Sequence, residues 1–338
     1  MSDRGGRLVD GYDLVVFDLD GVVFLIDKPI PGAAETVERL RGEGTAIAYA
    51  TNNASRRAPE VAALLTGMGV PASPGEVLTS AAAAAGLLRD RLPSGAPVLV
   101  VGAEALRAEV RDAGLTPVDA YEDGPAAVVQ GYGPEVGWRI LAEAALAVRG
   151  GAYWMVTNAD RTLPSARGPL PGNGSLVAVL RTALDREPDV VVGKPEPALF
   201  TAAATHAGAR RPVVVGDRLD TDIEGAARAG MDSVLVLSGI SGPADLLSAP
   251  PGHRPTYLAR SLTGLFEPVD DARVPAKDAA GGWRLTRDGD RVGLDGDGDP
   301  VDALRLLCGP CWDGVDPANV KADSDRARDL LASWGLGG

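Results

Sequence analysis

From residue 14 to about residue 260 the chain alternates short, wholly apolar runs with longer amphipathic stretches, and each apolar run stops abruptly at polar residues. Runs of this length read as strands buried on both faces, and the amphipathic stretches as the helices that cover them. "YDLVVFD" is a strand, and "PGAAETVERLRGEG" is a helix with Pro31 near its start and Gly42 or Gly44 past its end. "TAIAYATNN" and "APEVAALLTGMG" repeat the pair. Strand and helix in alternation predict an α/β fold built on a parallel sheet.

The pattern restarts near residue 80 with a helix, "TSAAAAAGLLRDRL", and then strands at "PVLVVG", "AAVVQGY" and "AYWMVTN". A long loop, "ADRTLPSARGPLPGNG", follows; loops of that length in compact domains tend to carry function. "DVVVGK", "RPVVVGD" and "DSVLVLSG" then resume the first pattern. The expected architecture is a Rossmann-like parallel-sheet core from residues 1–79 and 186–267, interrupted by an inserted α/β unit at 80–185. "EPVDDARVPAKDAAGG" reads as a linker, and residues 268–338 as a small α+β appendage.

The net charge of −13 argues against nucleic acid as a partner, because a phosphate backbone calls for a basic face. No apolar run approaches the roughly 20 residues that span a bilayer, and "MSDRGGRLVDGYD" lacks a signal-peptide core. A cytoplasmic protein with no membrane contact is expected. Cys308 and Cys311 are too few for a disulfide framework, and "CGPC" follows a helical stretch rather than a strand. They read first as reduced thiols without a task, with a regulatory disulfide or part of a metal site as the alternatives.

Open α/β sheets bind ligands beyond the carboxyl ends of their strands. At those ends stand Asp18 and Asp20, then Thr51, Asn52 and Asn53, then Lys194, and finally Asp217 with Asp222 close behind. Carboxylates brought to one point repel unless a cation sits among them, and hard oxygen donors suit a magnesium ion, Mg2+. Asp18 and Asp217 are the expected ligands. Asp18 can then attack phosphorus, and Asp20 can protonate the leaving oxygen and later take a proton from water. Lys194, Thr51 and Asn52 would steady the phosphate oxygens, and Gly21 would let the backbone approach closely.

"DLDGVV", "ATNNAS", "GKPEP" and "VGDRLDTDIEGAARAG" resemble, in order and spacing, the four motifs of the haloacid dehalogenase superfamily of phosphatases. The inserted unit resembles the α/β cap of the subgroup that holds p-nitrophenylphosphatase, phosphoglycolate, pyridoxal phosphate and glycerol 3-phosphate phosphatases. The resemblance covers about residues 10–262. It implies Asp18 as nucleophile, Asp20 as acid and base with its backbone carbonyl on the metal, and a phosphate-binding hydroxyl on Thr51 beside Asn52 and Asn53. It further implies Lys194 at the phosphate, Asp217 on Mg2+ and Asp222 as a partner of the metal ligands, although Asp222 alone could simply cap a helix. The cap's substrate loop falls on residues 158–164, which puts Asp160 and Arg161 near the substrate. Some relatives carry a histidine there; Leu163 in "DRTLP" points away from pyridoxal phosphate.

The implied partner is a small phosphorylated metabolite, with glycerol 3-phosphate first and phosphoglycolate or another small ester as the alternative. Caps of this type pair in relatives, so a homodimer through the cap is the expected assembly. Some relatives carry a C-terminal addition resembling a reduced acetyltransferase, which is what residues 268–338 would be. No glycine-rich acyl-CoA loop stands in that segment, so transfer of an acetyl group is not expected. A rival reading makes the chain a regulatory protein whose acidic extension binds a partner.

Overall fold

A computed structural model describes residues 6–26, 28–165, 167–277, 279–288 and 291–336. The N-terminal "MSDRG" of the segment weighed as a targeting signal lies outside the described residues. The chain divides into two compact units: Met1–Leu25, Pro29–Ile47 and Ala207–Gly338 form the first, and Ile26–Lys28 with Ala48–His206 the second.

In the first unit the strand Leu14–Phe17 pairs in parallel with Pro212–Gly216. That strand pairs with Asp232–Val236, which in turn pairs with Tyr257–Ala259. Leu14, Val15, Val16 and Phe17 are fully buried, as are Val213, Val214 and Val215. Burial on both faces explains why these strands read as unbroken apolar runs instead of alternating ones. The helix Ala33–Gly42 turns Ala33, Val37 and Leu40 inward at helical spacing.

Residues 279–336 add a second, mixed sheet to this unit. Trp283–Asp288 and Arg291–Gly296 form an antiparallel hairpin, flanked by Ala279–Ala280 and, in parallel, by Lys321–Ala322. The helix Pro300–Trp312 starts at Asp299, whose side chain accepts the Val301 amide at 2.8 Å, with proline in the first helical position. The expected linker is not loose. Ala272 and Val274 are buried, the Val274 amide donates to Thr256 O at 3.1 Å, and the Ala276 amide donates to Arg305 O at 3.0 Å. Leu246, Leu247 and Leu258 share one apolar cluster with Trp283, Leu294, Leu304 and Leu307.

The second unit centres on a five-stranded sheet in the order Val190–Val191, Tyr153–Val156, Ala127–Gln130, Pro97–Val101, Thr116–Val118. Every pairing in it is parallel. Helices Ser80–Arg91 and Glu104–Asp112 pack apolar residues on one face; Trp138–Arg149 and Asn173–Leu184 do so on the other. Tyr49–Thr51, the end of the strand Ala46–Thr51, pairs with Val77–Thr79 in the same unit.

Two expectations change here. "DVVV" was expected to resume the core sheet, yet Val190–Val191 is a two-residue edge strand beside Met155 and Val156. Asp189 fixes that edge: its amide donates to Trp154 O at 2.8 Å and its Oδ2 accepts the Trp154 amide at 2.7 Å. The apolar run announces a strand but does not say which neighbour it will pair with. The long loop after Val156 also contains a small ladder, Thr162–Leu163 antiparallel to Leu170–Pro171.

Candidate functional site

Asp18 directly follows the strand Leu14–Phe17, and its amide extends the ladder by donating to Val215 O at 2.9 Å. Asp217 directly follows the neighbouring strand Pro212–Gly216. Asp222 sits in the single wide turn Leu219–Ile223 that opens the helix Glu224–Arg228. Side-chain oxygens of Asp18, Asp217 and Asp222 lie within 4.8 Å of one another, and all three residues are buried. Asp222 was expected behind the metal ligands; its carboxylate stands in the cluster itself, and its Oδ2 accepts the Arg218 amide at 3.1 Å.

The loop after Asp232–Val236 holds Asp217 in place, a role that sequence reading missed. The Ile240 amide donates to Asp217 Oδ2 at 2.7 Å, and the Ser241 amide donates to Asp217 O at 3.0 Å. Ser238 Oγ donates to Gly21 O at 2.8 Å, which anchors the turn carrying Asp20. The signal was present: "VLVLSGISG" is one more strand whose carboxyl end runs into small and polar residues. Asp20 is partly buried at that turn. Gly21 has φ +90°, and a Cβ there would come within 2.5 Å of Asp217 Oδ2.

Three buried carboxylates at this spacing are costly without a cation. Their hard oxygens, on a backbone kept bare by glycine, fit a magnesium ion.

The second unit has its own polar cluster. Thr51 ends its strand, buried, and its Oγ1 accepts the Asn53 amide at 3.1 Å. Asn53 Oδ1 accepts the Ser55 amide and hydroxyl at 2.9 and 2.7 Å, a local turn. Asn52 is buried, and its Oδ1 accepts the Lys194 amide at 2.8 Å. Lys194, also buried, donates from Nζ to Ala50 O at 3.2 Å. A side chain on Gly193 would overlap Asn52 Oδ1, which explains the glycine beside the lysine. Asp160 Oδ2 accepts Asn52 Nδ2 at 3.0 Å. Arg161 has an exposed side chain, and its backbone oxygen accepts the Gly172 amide at 2.9 Å.

Residues 15–116 match a family model described as haloacid dehalogenase-like hydrolase, and residues 191–265 a second one described as HAD-hydrolase-like. A D-glycerol 3-phosphate phosphatase of Mycobacterium tuberculosis is 43% identical over 340 residues, covering 96% of this chain and 94% of that protein. The chain belongs to the haloacid dehalogenase-like hydrolases. Among solved members, the crystal structure of a glycerol phosphate phosphatase from Mycobacterium tuberculosis in complex with magnesium superposes with a TM-score of 0.90. It is 44% identical and covers 98% of this chain and 99% of its own. A p-nitrophenyl phosphatase from Archaeoglobus fulgidus gives a TM-score of 0.70 at 31% identity, covering 76% of this chain and 98% of its own. This dehalogenase-like hydrolase therefore exceeds that relative by about a quarter of its length. Residues 280–336 match a model described as GCN5-related N-acetyltransferase like domain, in the stretch where an acetyltransferase-like addition was expected.

Proposed function

We propose that this chain is a magnesium-dependent phosphatase that hydrolyses a small phosphate monoester, with glycerol 3-phosphate as its substrate. The buried trio Asp18, Asp217 and Asp222 carries the reading. The name of the 43% identical relative supports the choice of ester.

Asp18 and Asp217 would hold the magnesium ion with the Asp20 carbonyl, and Asp222 stands close enough to join or brace them. When bound, the ion supplies positive charge that balances these carboxylates and polarises a phosphate oxygen. An Asp18 oxygen attacks phosphorus, the phosphorus–ester oxygen bond breaks, and an aspartyl-phosphate forms. Asp20 gives its proton to the departing alkoxide, which leaves as the alcohol. Water then attacks the aspartyl-phosphate while Asp20 takes its proton. Inorganic phosphate leaves, and Asp18 is restored. Lys194 and the Thr51 hydroxyl are assigned to the phosphate oxygens on the strength of their motifs. In the same reading residues 80–185 act as the cap and residues 158–164 as its selecting loop.

The reading extends to a cytoplasmic protein with a small phosphorylated metabolite as its partner. Among the described residues no helix is long and apolar enough to cross a membrane. Pairing through the cap has a candidate surface in Trp138, Leu146 and Val179, whose side chains are exposed.

The test is phosphate release across a panel of esters: glycerol 3-phosphate, phosphoglycolate, pyridoxal phosphate, nucleotides and p-nitrophenyl phosphate. Turnover should require magnesium and disappear in Asp18→Asn with the fold intact by circular dichroism. Turnover that survives EDTA would overturn the reading.

A further inference from the structure

Within the second unit, the loop assigned to substrate and the segment bearing Lys194 meet in one side chain. Asn52 Nδ2 donates to Asp160 Oδ2 at 3.0 Å and to Lys194 O at 3.1 Å. Its Oδ1 accepts the Lys194 amide at 2.8 Å. A side-chain amide has two N–H donors, so both are engaged in protein contacts. The geometry gives Asn52 a different task from the phosphate contact that its motif implied.

The same node is braced through the backbone. Asn52 O accepts Asn158 Nδ2 and Ser80 Oγ, each at 2.7 Å. From the other side "GNGS" grips the loop. Asn173 Nδ2 donates to Asn158 O at 2.7 Å, and the Gly174 amide donates to Asp160 O at 2.8 Å. Ser175 Oγ donates to Arg161 O at 2.6 Å. A Cβ on Gly172 would stand 2.5 Å from Asp160 O, and one on Gly174 would overlap Ala159 O. Loop backbone is thus fixed on one side by glycines and amides, and on the other by one asparagine.

We infer that Asn52 and Asp160 form a positioning latch that keeps the loop bearing Arg161 in register with Lys194. Asp160 acts through Asn52, not on the substrate. The inference rests on the phosphatase reading for its kinetic readout alone.

Two variants separate position from charge. Asp160→Asn keeps an oxygen that can accept Asn52 Nδ2; Asp160→Ala does not. For the ester that the panel favours, Asp160→Ala should raise KM about tenfold and change kcat less than about threefold, the scale of one lost, partly buried hydrogen bond. Hydrogen exchange of peptides within residues 158–175 should rise in the same variant. Asp160→Asn should recover most of both. If Asp160→Asn falls as far as Asp160→Ala in KM while exchange stays protected, the charge touches the substrate and the latch is wrong. Unchanged exchange and KM in Asp160→Ala would also overturn it. If the wild-type chain hydrolyses no ester, the phosphatase reading fails, and the exchange comparison still decides the latch.

Discussion

A side chain on Gly239 would overlap the Asp217 carboxylate, just as one on Gly21 would crowd its Oδ2. Both glycines therefore keep room for an acid held by the Ile240 amide. Gly239→Ala should push Asp217 off its place and raise the magnesium concentration for half-maximal turnover by about tenfold, the order expected when a ligand's support is lost. A magnesium titration of phosphate release reads this directly; an unchanged midpoint would mean that the carboxylate has space to yield. At the other end of the reactivity scale stand the thiols. Burial pushes Cys308 well above the ordinary thiol value, and it pushes Cys311 up to about 12. Native protein at pH 8 should thus resist iodoacetamide and react promptly once unfolded, as mass spectrometry would show. The sign of the linked stability follows. A thiol whose pKa is raised in the folded state favours folding while both states are protonated. That contribution is lost as pH climbs from the unfolded thiol range toward about 12, so denaturant midpoints should fall in alkali and rise in Cys311→Ala relative to wild type there.

Among the elements, strand ends were the legible part. Asp18 and Asp217 could be placed because an apolar run that stops at a carboxylate has one simple arrangement in a parallel sheet. The partner of a strand is less legible: Val190–Val191 looked like its core counterparts and pairs instead at the edge beside Tyr153–Val156. Gly21 apart, backbone devices were not legible. The Gly172 and Gly174 amides, the wide turn Leu219–Ile223 and the bonds from Val274 and Ala276 depend on main-chain atoms that every sequence possesses. Residues 267–282 looked like a linker because proline, glycine and aspartate usually mean solvent, yet Arg305 holds two points of the segment: its backbone oxygen accepts the Ala276 amide at 3.0 Å and its Nη2 lies 3.9 Å from Glu267 Oε2. Its guanidinium is almost fully buried, donates to Leu258 O at 2.6 Å and pairs with Asp302 at 2.8 Å. Removing the guanidinium leaves the buried Leu258 carbonyl unsatisfied beside a partly exposed Asp302, which costs about 1–3 kcal/mol. Arg305→Ala should therefore lower the denaturation midpoint markedly, whereas Arg284→Ala, which breaks an exposed pair with Asp295, should shift ΔG by no more than about 1 kcal/mol.

Across the whole chain, the extension and the phosphatase fold are joined by apolar burial, and that makes a strong prediction about truncation. Leu246, Leu247 and Leu258 belong to one cluster with Trp283, Leu294, Leu304 and Leu307, and so do Leu219 and Ile223 of the turn that carries Asp222. The extension's burial is therefore continuous with the packing that holds an acid of the site. A fully independent appendage would leave the phosphatase untouched when removed. A chain ending at residue 267 should instead expose these leucines, associate on gel filtration and bind a hydrophobic dye. Full-length Trp283→Ala offers a milder version, expected to cost about 3–5 kcal/mol because Trp283 is one of the largest fully buried side chains. In that variant the loss should reach the site: magnesium affinity should fall together with stability, because Leu219 and Ile223 lose their backing on either side of Asp220 and Asp222. A truncated chain that stays monomeric, melts as sharply as the parent and titrates magnesium unchanged would show that the extension is an ornament on this fold. Loss of magnesium affinity in Trp283→Ala under conditions where the chain is still fully folded would show that it braces the acid cluster.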